Sequence, residues 1–432
     1  MTTRALILTA MLAASSARAS VWDSFGFGAR ATAMGNAQAA AGEDFTAVYY
    51  NPGALAGAEE PEVGTGFDLL SPSLTVDRDR AADPKAPTDR LPGTNLGVHL
   101  GLVFPLGALI GNRLAIGAGL YVPALEVTRV DGVEPERPHF YRYEALPDKL
   151  VLALGLAGDL HERVSVGLGF QFLGDLQGRA NVELDLLTQR FVRKTLKVDV
   201  GATGALTAGL LVRPLDGLRL AFSFRDELEL DYTLAINTVI SNTGRLLVDI
   251  NGVSLYTPQQ FTWGVAWDPL PSLTLTTDII WARWSRAPDP AAHFEVSLDG
   301  EPLGFGALEV ESAPVRLGAQ DTVSPHVGLE WRTTDSLALR AGYAFVPTPL
   351  PAQTERNNHI DSDAHQLGLG LAFRVRNPIA LKHAPLTIEL SGQMTVLEWR
   401  RMEKRSDDDP VGDYGAGGTL WRGALTLRHA FY

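Results

Sequence analysis

The sequence has 432 residues, of which 45% are hydrophobic and 20% are charged, and it contains no cysteine. The lack of cysteine excludes disulfide frameworks, thiol nucleophiles and cysteine-ligated metals. The formal net charge of −13 leaves no basic stripe to meet phosphates, so we do not expect nucleic-acid binding.

The first 19 residues have the pattern of a secretory signal peptide. Arg4 precedes an apolar run over residues 5–14, and Ala17-Arg18-Ala19 supplies the small side chains of a cleavage site. A membrane anchor is disfavoured, because about ten apolar residues reach only ~15 Å as a helix and a hydrocarbon core is ~30 Å thick. We therefore expect the mature chain to begin at Ser20.

From residue 62 onward the apolar residues recur with period two, which is typical of strands with two different faces. In residues 163–172, for example, valine, leucine and phenylalanine alternate with small or polar residues. No stretch has the roughly 18 apolar residues that a transmembrane helix needs, so any membrane crossing would use strands. The predicted strands are 62–76, 95–105, 113–127, 148–160, 163–187, 194–213, 217–238, 244–268, 271–285, 322–333, 336–346, 364–376, 384–399 and 418–432.

The connections between these fourteen strands alternate between short and long. Tight connections are predicted at 106–112, 161–162, 214–216, 269–270, 334–335 and 377–383. This alternation indicates an up-and-down barrel whose tight turns all lie at the periplasmic end. In hydrocarbon an open sheet edge would leave polar backbone groups unpaired, so the first strand must close onto the last. A soluble β-sandwich is the alternative, but it does not require the alternation. The fold class predicted is an all-β, closed antiparallel transmembrane barrel over residues 62–432.

Seven tryptophans near predicted strand ends suggest aromatic girdles at the membrane interfaces. They are Trp263, Trp267, Trp281, Trp284, Trp331, Trp399 and Trp421. Ordinary core aromatics are the alternative interpretation.

Residues 20–61, which we call the N-terminal segment, do not alternate. They are rich in glycine and alanine over residues 26–37 and contain Tyr50-Asn51-Pro52-Gly53-Ala54-Leu55. The segment resembles the hatch of the FadL/TodX family of outer-membrane channels for long-chain fatty acids and aromatic hydrocarbons. In that family a similar glycine-alanine-methionine run and an Asn-Pro segment form a plug inside a fourteen-stranded barrel.

The resemblance implies a plug over residues 20–61, with Met34, Gly35, Asn51, Pro52 and Gly53 as its hatch or gating residues. Asn51 can form an Asx turn and Pro52 fixes φ, which together give a stiff corner. Two features depart from the family pattern. Gly53 replaces the usual alanine, and the connection 188–194 lacks the helical pattern of the family's long loop.

The function implied is passive uptake of hydrophobic small molecules, either long-chain fatty acids or aromatic hydrocarbons, across the outer membrane of a Gram-negative bacterium. A general porin for small polar solutes is the first alternative, although an open pore is not expected to contain a plug segment. A barrel enzyme is the second. We expect no cofactor and no metal site, and the expected partners are the substrate, membrane lipid, lipopolysaccharide and the barrel assembly machinery.

Candidates for specific chemistry are few. Arg225, Arg340 and Arg374 are predicted to face inward, where they either meet a substrate carboxylate or pair with acidic residues across the lumen. For catalysis the candidate sets are His326 with Glu330, residues 407–409, and residues 361–365, and none has convincing spacing. His326 and Glu330 are about 13 Å apart at ~3.3 Å per residue. Asp361, Asp363 and His365 are interpreted as a solvated turn.

Overall fold

The computed structural model describes most of the chain after residue 20. The described residues are 21–79, 89, 91–107, 114–124, 136–143, 150–185, 190–240, 244–289, 293–298, 308–312, 315–375, 385–405 and 409–431. The predicted signal peptide lies outside these residues, as do most of the predicted connections 106–112 and 377–383.

The N-terminal segment folds into short helical pieces. They are α1 (Val21–Phe25), α2 (Ala29–Ala33), α3 (Ala47–Tyr50) and the 3-10 helix η1 (Pro52–Gly57). Glycines with positive φ separate the first two helices and follow the second, which is expected where a chain changes direction sharply. In the described part of the chain, no helix has the length and apolar character needed to cross a membrane.

The other regular elements of the described residues are a short 3-10 helix, η2 (Trp284–Arg286), and twenty β-strands. The strands are β1 (Glu62–Arg78), β2 (Asn95–Pro105), β3 (Leu114–Pro123), β4 (His139–Phe140), β5 (Val151–His161), β6 (Val164–Asp185), β7 (Arg190–Leu215), β8 (Leu218–Arg225), β9 (Leu228–Ile240), β10 (Gly244–Thr257), β11 (Gln260–Leu270), β12 (Leu273–Ala282), β13 (His293–Leu298), β14 (Leu308–Glu311), β15 (Thr322–Thr334), β16 (Leu337–Val346), β17 (His359–Ile360), β18 (Ala364–Val375), β19 (Leu386–Met402) and β20 (Tyr414–Ala430).

Fourteen of these strands form a closed antiparallel wall, which confirms the predicted fold. The order around the wall is β1, β2, β3, β5, β6, β7, β8, β11, β12, β15, β16, β18, β19 and β20. Closure is made by β1 and β20, which pair along their whole length from Glu62 opposite Ala430 to Arg78 opposite Tyr414.

Four tight turns lie at one end of the wall, within two residues of their predicted positions. They join β5 to β6, β7 to β8, β11 to β12 and β15 to β16. We call this the turn end and the opposite end the loop end. Both the start of β1 and the end of β20 are at the turn end.

The two faces of the wall differ as the alternation predicts. In β15, Val323, Val327 and Trp331 are exposed on the outer face, and His326 and Glu330 are buried on the inner face. Five of the seven tryptophans are exposed: Trp263, Trp267, Trp331, Trp399 and Trp421. Trp284, however, is buried with lumen aromatics at the loop end, so its assignment to a girdle was wrong.

Two predicted strands, 217–238 and 244–268, are each broken in two. The breaks lie opposite each other, at Asp226-Glu227 between β8 and β9 and at Pro258-Gln259 between β10 and β11. Pro258 has no N–H to donate to a ladder. The Asp226 side chain accepts hydrogen bonds from the Glu227 backbone (3.0 Å) and from Gln259 Nε2 (3.0 Å), which holds both breaks together.

Beyond the breaks the chain forms an outer sheet at the loop end. The hairpin of β9 and β10 leaves the wall, and β9 pairs in parallel with the part of β6 that extends beyond β5. β13 and β14, which lie in a connection predicted to be a loop, extend this sheet from β10. Part of the predicted connection 188–194 is strand, since β7 begins at Arg190.

Candidate functional site

The corner at Asn51 has the predicted Asx turn. Asn51 is fully buried, and its Oδ1 accepts a hydrogen bond from the Gly53 backbone N–H (3.0 Å). Its Nδ2 donates to the Ala39 carbonyl (2.8 Å) and to the Leu210 carbonyl of β7 (3.2 Å). The side chain therefore joins two parts of the N-terminal segment to each other and to the wall.

Glycine allows this corner to lie directly against the wall. A Cβ at Gly209 of β7 would overlap Asn51 Oδ1, and one at Gly167 of β6 would overlap the Pro52 carbonyl. A Cβ at Gly53 would lie 2.8 Å from the Gly209 carbonyl oxygen, too close for a carbon. A side chain at position 53 would therefore have to push the corner and β7 apart.

Met34 and Gly35 make a second close approach, to β15 and β16. Gly35 has φ of +61°, and His326 bonds its carbonyl oxygen through Nδ1 (2.6 Å). A Cβ at Gly342 of β16 would overlap backbone atoms of both Met34 and Gly35. His326 thus holds the N-terminal segment, and its bond is not directed toward Glu330.

These two approaches belong to a larger arrangement, which we call the glycine belt. Ten of the fourteen wall strands present a glycine whose added Cβ would come within 3.0 Å of the N-terminal segment. The belt consists of Gly64, Gly101, Gly117, Gly119, Gly155, Gly167, Gly209, Gly264, Gly328, Gly342, Gly368 and Gly370. Many are register partners across neighbouring strands, such as Gly64 with Gly101, and Gly328 with Gly342.

Three of the four remaining wall strands hold the segment with polar side chains. On β8, Arg225 donates to the Tyr49 hydroxyl (2.8 Å) and to the Tyr49 carbonyl (2.9 Å). On β12, Asp278 accepts from the Ala39 backbone (2.9 Å), and on β20, Thr426 accepts from the Ala29 backbone (2.9 Å). The N-terminal segment is thus in contact with strands all around the wall.

A network of charged side chains joins the segment to the turn-end half of the wall. Arg30 and Arg340 both donate to Glu330 Oε2, at 2.9 and 2.8 Å, and Arg340 also pairs with Glu389 (2.9 Å). Arg428 pairs with Asp44 (3.1 Å), with Glu62 (3.3 Å) and with Glu389 (3.4 Å). We call these seven residues the charge network.

Asp44 and Arg30 are the members that the N-terminal segment contributes to this network. Burial opposes ionisation of Asp44, but Arg428 and Arg30 outweigh it and keep the pKa of this carboxyl below its usual range. The pKa of Arg30 is raised: burial again opposes the charge, and Glu330 and Asp44 overcome it. Both groups are therefore charged, and their attraction to the wall is ionic.

The three arginines predicted to face inward all do so, but they differ in their partners. Arg225 binds Tyr49, and Arg340 binds Glu330 and Glu389. Arg374 lies exposed near the end of β18, facing a cavity at the turn end. Arg340 lines this same cavity, whereas Arg225 lies elsewhere in the lumen, against Tyr49.

The interpretation of residues 361–365 as a solvated turn was wrong. Asp361 is fully buried, and it accepts bonds from Arg142 Nε (2.9 Å) and Thr348 Oγ1 (2.6 Å). Burial raises the pKa of Asp361, and Arg142 acts against this shift. Asp363 and His365 make separate contacts, with Thr348 and with Tyr343. Of the residues 407–409, the structure describes Asp409, which accepts from the backbones of Val411 and Gly412.

The Arg142–Asp361 pair fixes a cover over the loop end of the lumen. β4 and β17 pair in parallel next to it, and Phe140, Tyr141 and Ile360 are buried there. Burial raises the pKa of the neighbouring Tyr143 to about 12. These residues belong to one continuous buried apolar cluster, which extends to Trp22, Phe25, Phe27 and Tyr49 of the N-terminal segment.

No metal site is evident in the described ranges, since they contain no group of three or more histidine or acidic residues arranged to hold an ion. Sequence reasoning did not find Arg30, Asp44, Arg428 or the glycine belt. The glycines were visible as small residues at alternate positions, but their alignment depends on strand register.

Comparisons with known proteins agree with this architecture. Residues 8–384 match the family described as outer membrane protein transport protein (OMPP1/FadL/TodX). The chain is 22% identical to alkane uptake protein A of Marinobacter nauticus over 412 residues, covering 89% of this chain and 86% of that protein. Its fold is similar to that of a Pseudomonas aeruginosa FadL homologue (TM-score 0.61, 14% identity, 98% of this chain and 100% of that one). It is also similar to the Pseudomonas putida toluene transporter TodX (TM-score 0.59, 16% identity, 94% and 99%).

Proposed function

Because the chain belongs to the OMPP1/FadL/TodX family of outer membrane transport proteins, we propose that it takes up hydrophobic small molecules through its lumen by passive diffusion. In this proposal the turn end faces the periplasm and the loop end faces the cell exterior. The N-terminal segment acts as the plug, and an apolar solute passes when the segment shifts.

The observation that carries the proposal is the apolar cluster at the loop end of the lumen. It brings Tyr141 of the cover, Tyr256 of β10 and Trp284, which follows β12, together with Trp22 and Phe27 of the N-terminal segment. Aromatic surfaces bind apolar solutes through the area that leaves water, at roughly 25 cal/mol per Å². A porin for polar solutes would need water in this position, where the structure instead has buried aromatic side chains.

Long-chain fatty acids, alkanes and aromatic hydrocarbons all fit a lining of this kind. The names of the alkane uptake protein and the toluene transporter agree with this class of substrate. Purified protein should bind a neutral apolar ligand such as toluene or methyl dodecanoate with a negative heat-capacity change, because apolar surface is buried on binding. Isothermal titration calorimetry at several temperatures measures this. A protein that binds no apolar ligand while sugars permeate its liposomes would be a general porin.

Asn51 is proposed to be the fixed corner of the plug. Asn51→Ala should slow uptake of an apolar solute several-fold without admitting sugars. The substitution removes three hydrogen bonds, each contributing about 1 kcal/mol, while the glycine belt and the charge network stay intact. Uptake of a labelled apolar solute into proteoliposomes, compared with liposome swelling in sugars, separates the two effects.

Asn251→Ala is the matched control, because Asn251 is exposed on β10 in the outer sheet. Uptake by this control should equal that of the parent. Equal uptake by Asn51→Ala would mean that the corner has no part in transport.

A further inference from the structure

A cavity of about 990 Å³ opens at the turn end of the lumen. It is bounded by the turns that join β11 to β12 and β15 to β16, and by the inner faces of β15, β16, β18 and β19. Glu330, Arg340 and Arg428 of the charge network line it, and these residues reach Arg30 and Asp44 of the N-terminal segment. The cavity therefore lies directly below the plug, and we call it the vestibule.

Four arginines line the vestibule, and they are not equally paired. Arg340 and Arg428 each have carboxylate partners within 3.4 Å. Among the described residues, the one carboxylate that Arg332 reaches is that of Glu330, at 3.7 Å from Oε1, and the Arg332 side chain is 56% exposed. Within the part of the chain that the structure describes, Arg374 makes no ion pair. The lining also holds two carboxylates, Glu330 and Asp335, so its four arginines leave the vestibule with an excess of positive charge.

Strand register places Arg332 and Arg374 on either side of a patch of two alanines. Arg332 of β15 is opposite Ala338 of β16, and Ala338 is opposite Ala372 of β18, two residues before Arg374. Two strand spacings and the two-residue offset along β18 separate the Cα atoms of the arginines by roughly 12 Å, a gap that two extended side chains can close from both sides. The alanines leave room between them.

The remaining lining is mixed, which suits a molecule with both a polar and an apolar part. Pro271, Leu337, Ala338, Ala372 and Pro385 contribute apolar surface next to the arginines, and the other lining residues are polar: Ser272, Thr333, Thr334, Asp335, Ser336 and Thr387. A guanidinium group binds a carboxylate through two parallel hydrogen bonds, which is stronger and more directional than contact with a point charge.

We propose that the vestibule binds the carboxylate of an amphiphilic monoanion between Arg332 and Arg374, at the point where the molecule leaves the lumen. This inference depends on the proposed function for the direction of passage. It adds a second, charge-dependent site to the apolar one, so that fatty carboxylates and neutral hydrocarbons leave the channel differently.

The test compares dodecanoate with its neutral methyl ester on the full-length protein in detergent. The double variant Arg332→Gln/Arg374→Gln should lose a dodecanoate site, with affinity reduced about tenfold or more, and should bind methyl dodecanoate as the parent does. In the parent, raising salt from about 0.05 to about 0.5 M should weaken this dodecanoate site only, because exposed ion pairs are screened. Arg374→Lys keeps the charge but loses the paired hydrogen bonds, so its affinity for dodecanoate should lie between that of the parent and that of the double variant.

Arg356→Gln is the matched control, since Arg356 is an exposed arginine of a loop-end connection. Equal dodecanoate affinity in the parent and in the correctly folded double variant would overturn the vestibule site and leave the proposed function standing. If propionate binds as tightly as dodecanoate, the site takes any small anion and the amphiphile assignment falls. If the methyl ester also fails to bind to the parent, it is the proposed function that is wrong. A shift in gel mobility on boiling verifies folding of each variant.

Discussion

Deletion of residues 25–55, with residues 1–24 retained, should turn the protein into an open pore for small sugars. The wall does not need these residues to close, since β1 pairs along its length with β20 and also with β2. Without the N-terminal segment, the glycine belt would border an aqueous lumen wide enough to have held helices. Liposome-swelling rates in sugar solutions should rise from background to those of an open porin.

The deletion leaves Glu330 without Arg30 and Arg428 without Asp44. Each of these wall residues keeps another partner of opposite charge, so the barrel should still fold and remain heat-modifiable on gels. A variant that folds but stays impermeable to sugars would show that some other part of the chain blocks the lumen. The assignment of the N-terminal segment as the plug would then be dropped.

The single substitution Gly342→Val should likewise open the lumen to small sugars. Its Cβ would overlap backbone atoms of Met34 and Gly35, and a backbone cannot rotate aside as a flexible side chain can. Either the N-terminal segment is displaced from β16 or the strand distorts. Because β16 pairs with β15 and β18 over nearly its whole length, we expect the segment to yield. Sugar permeability should rise well above that of the parent.

Gly392→Val is the matched control for this experiment. Gly392 also lies within a wall strand, β19, but nothing lies within 4 Å of the Cβ that it would gain. The control should swell liposomes no faster than the parent. Equal permeability of the two variants would mean that the close approach at Gly342 does not hold the plug.

The barrel could be predicted from the sequence because the two faces of a strand are encoded locally. Val323, Val327 and Trp331 alternate with His326 and Glu330 whatever the strand pairs with, and the number of strands then follows by counting. The breaks at Asp226 and Pro258 escaped prediction because apolar alternation continues through both. The Asp226 bridge to Gln259 depends on two strands being neighbours.

The partners of the inward arginines could not be predicted in the same way. Arg225, Arg340 and Arg374 have the same pattern in the sequence, and what separates them lies far away in the chain. Arg225 meets Tyr49 because the N-terminal segment reaches β8, and Arg340 meets Glu389 across β18. Such contacts depend on strand register and on the path of the segment through the lumen, neither of which leaves a local signal.

The glycine belt also bears on how easily the segment can move. At the glycine belt, which spans ten strands, the segment lies against backbone and hydrogen atoms rather than side chains. A helix sliding over ordinary side chains must push them from one rotamer well to another, and each transition adds a barrier. Glycine has no side-chain rotamers to change, so the glycine belt adds no such barrier when the segment moves. The hydrogen bonds and ion pairs between the segment and the wall then set most of the barrier to its displacement. They hold the segment in place at rest, and once they are broken the remaining barrier is low.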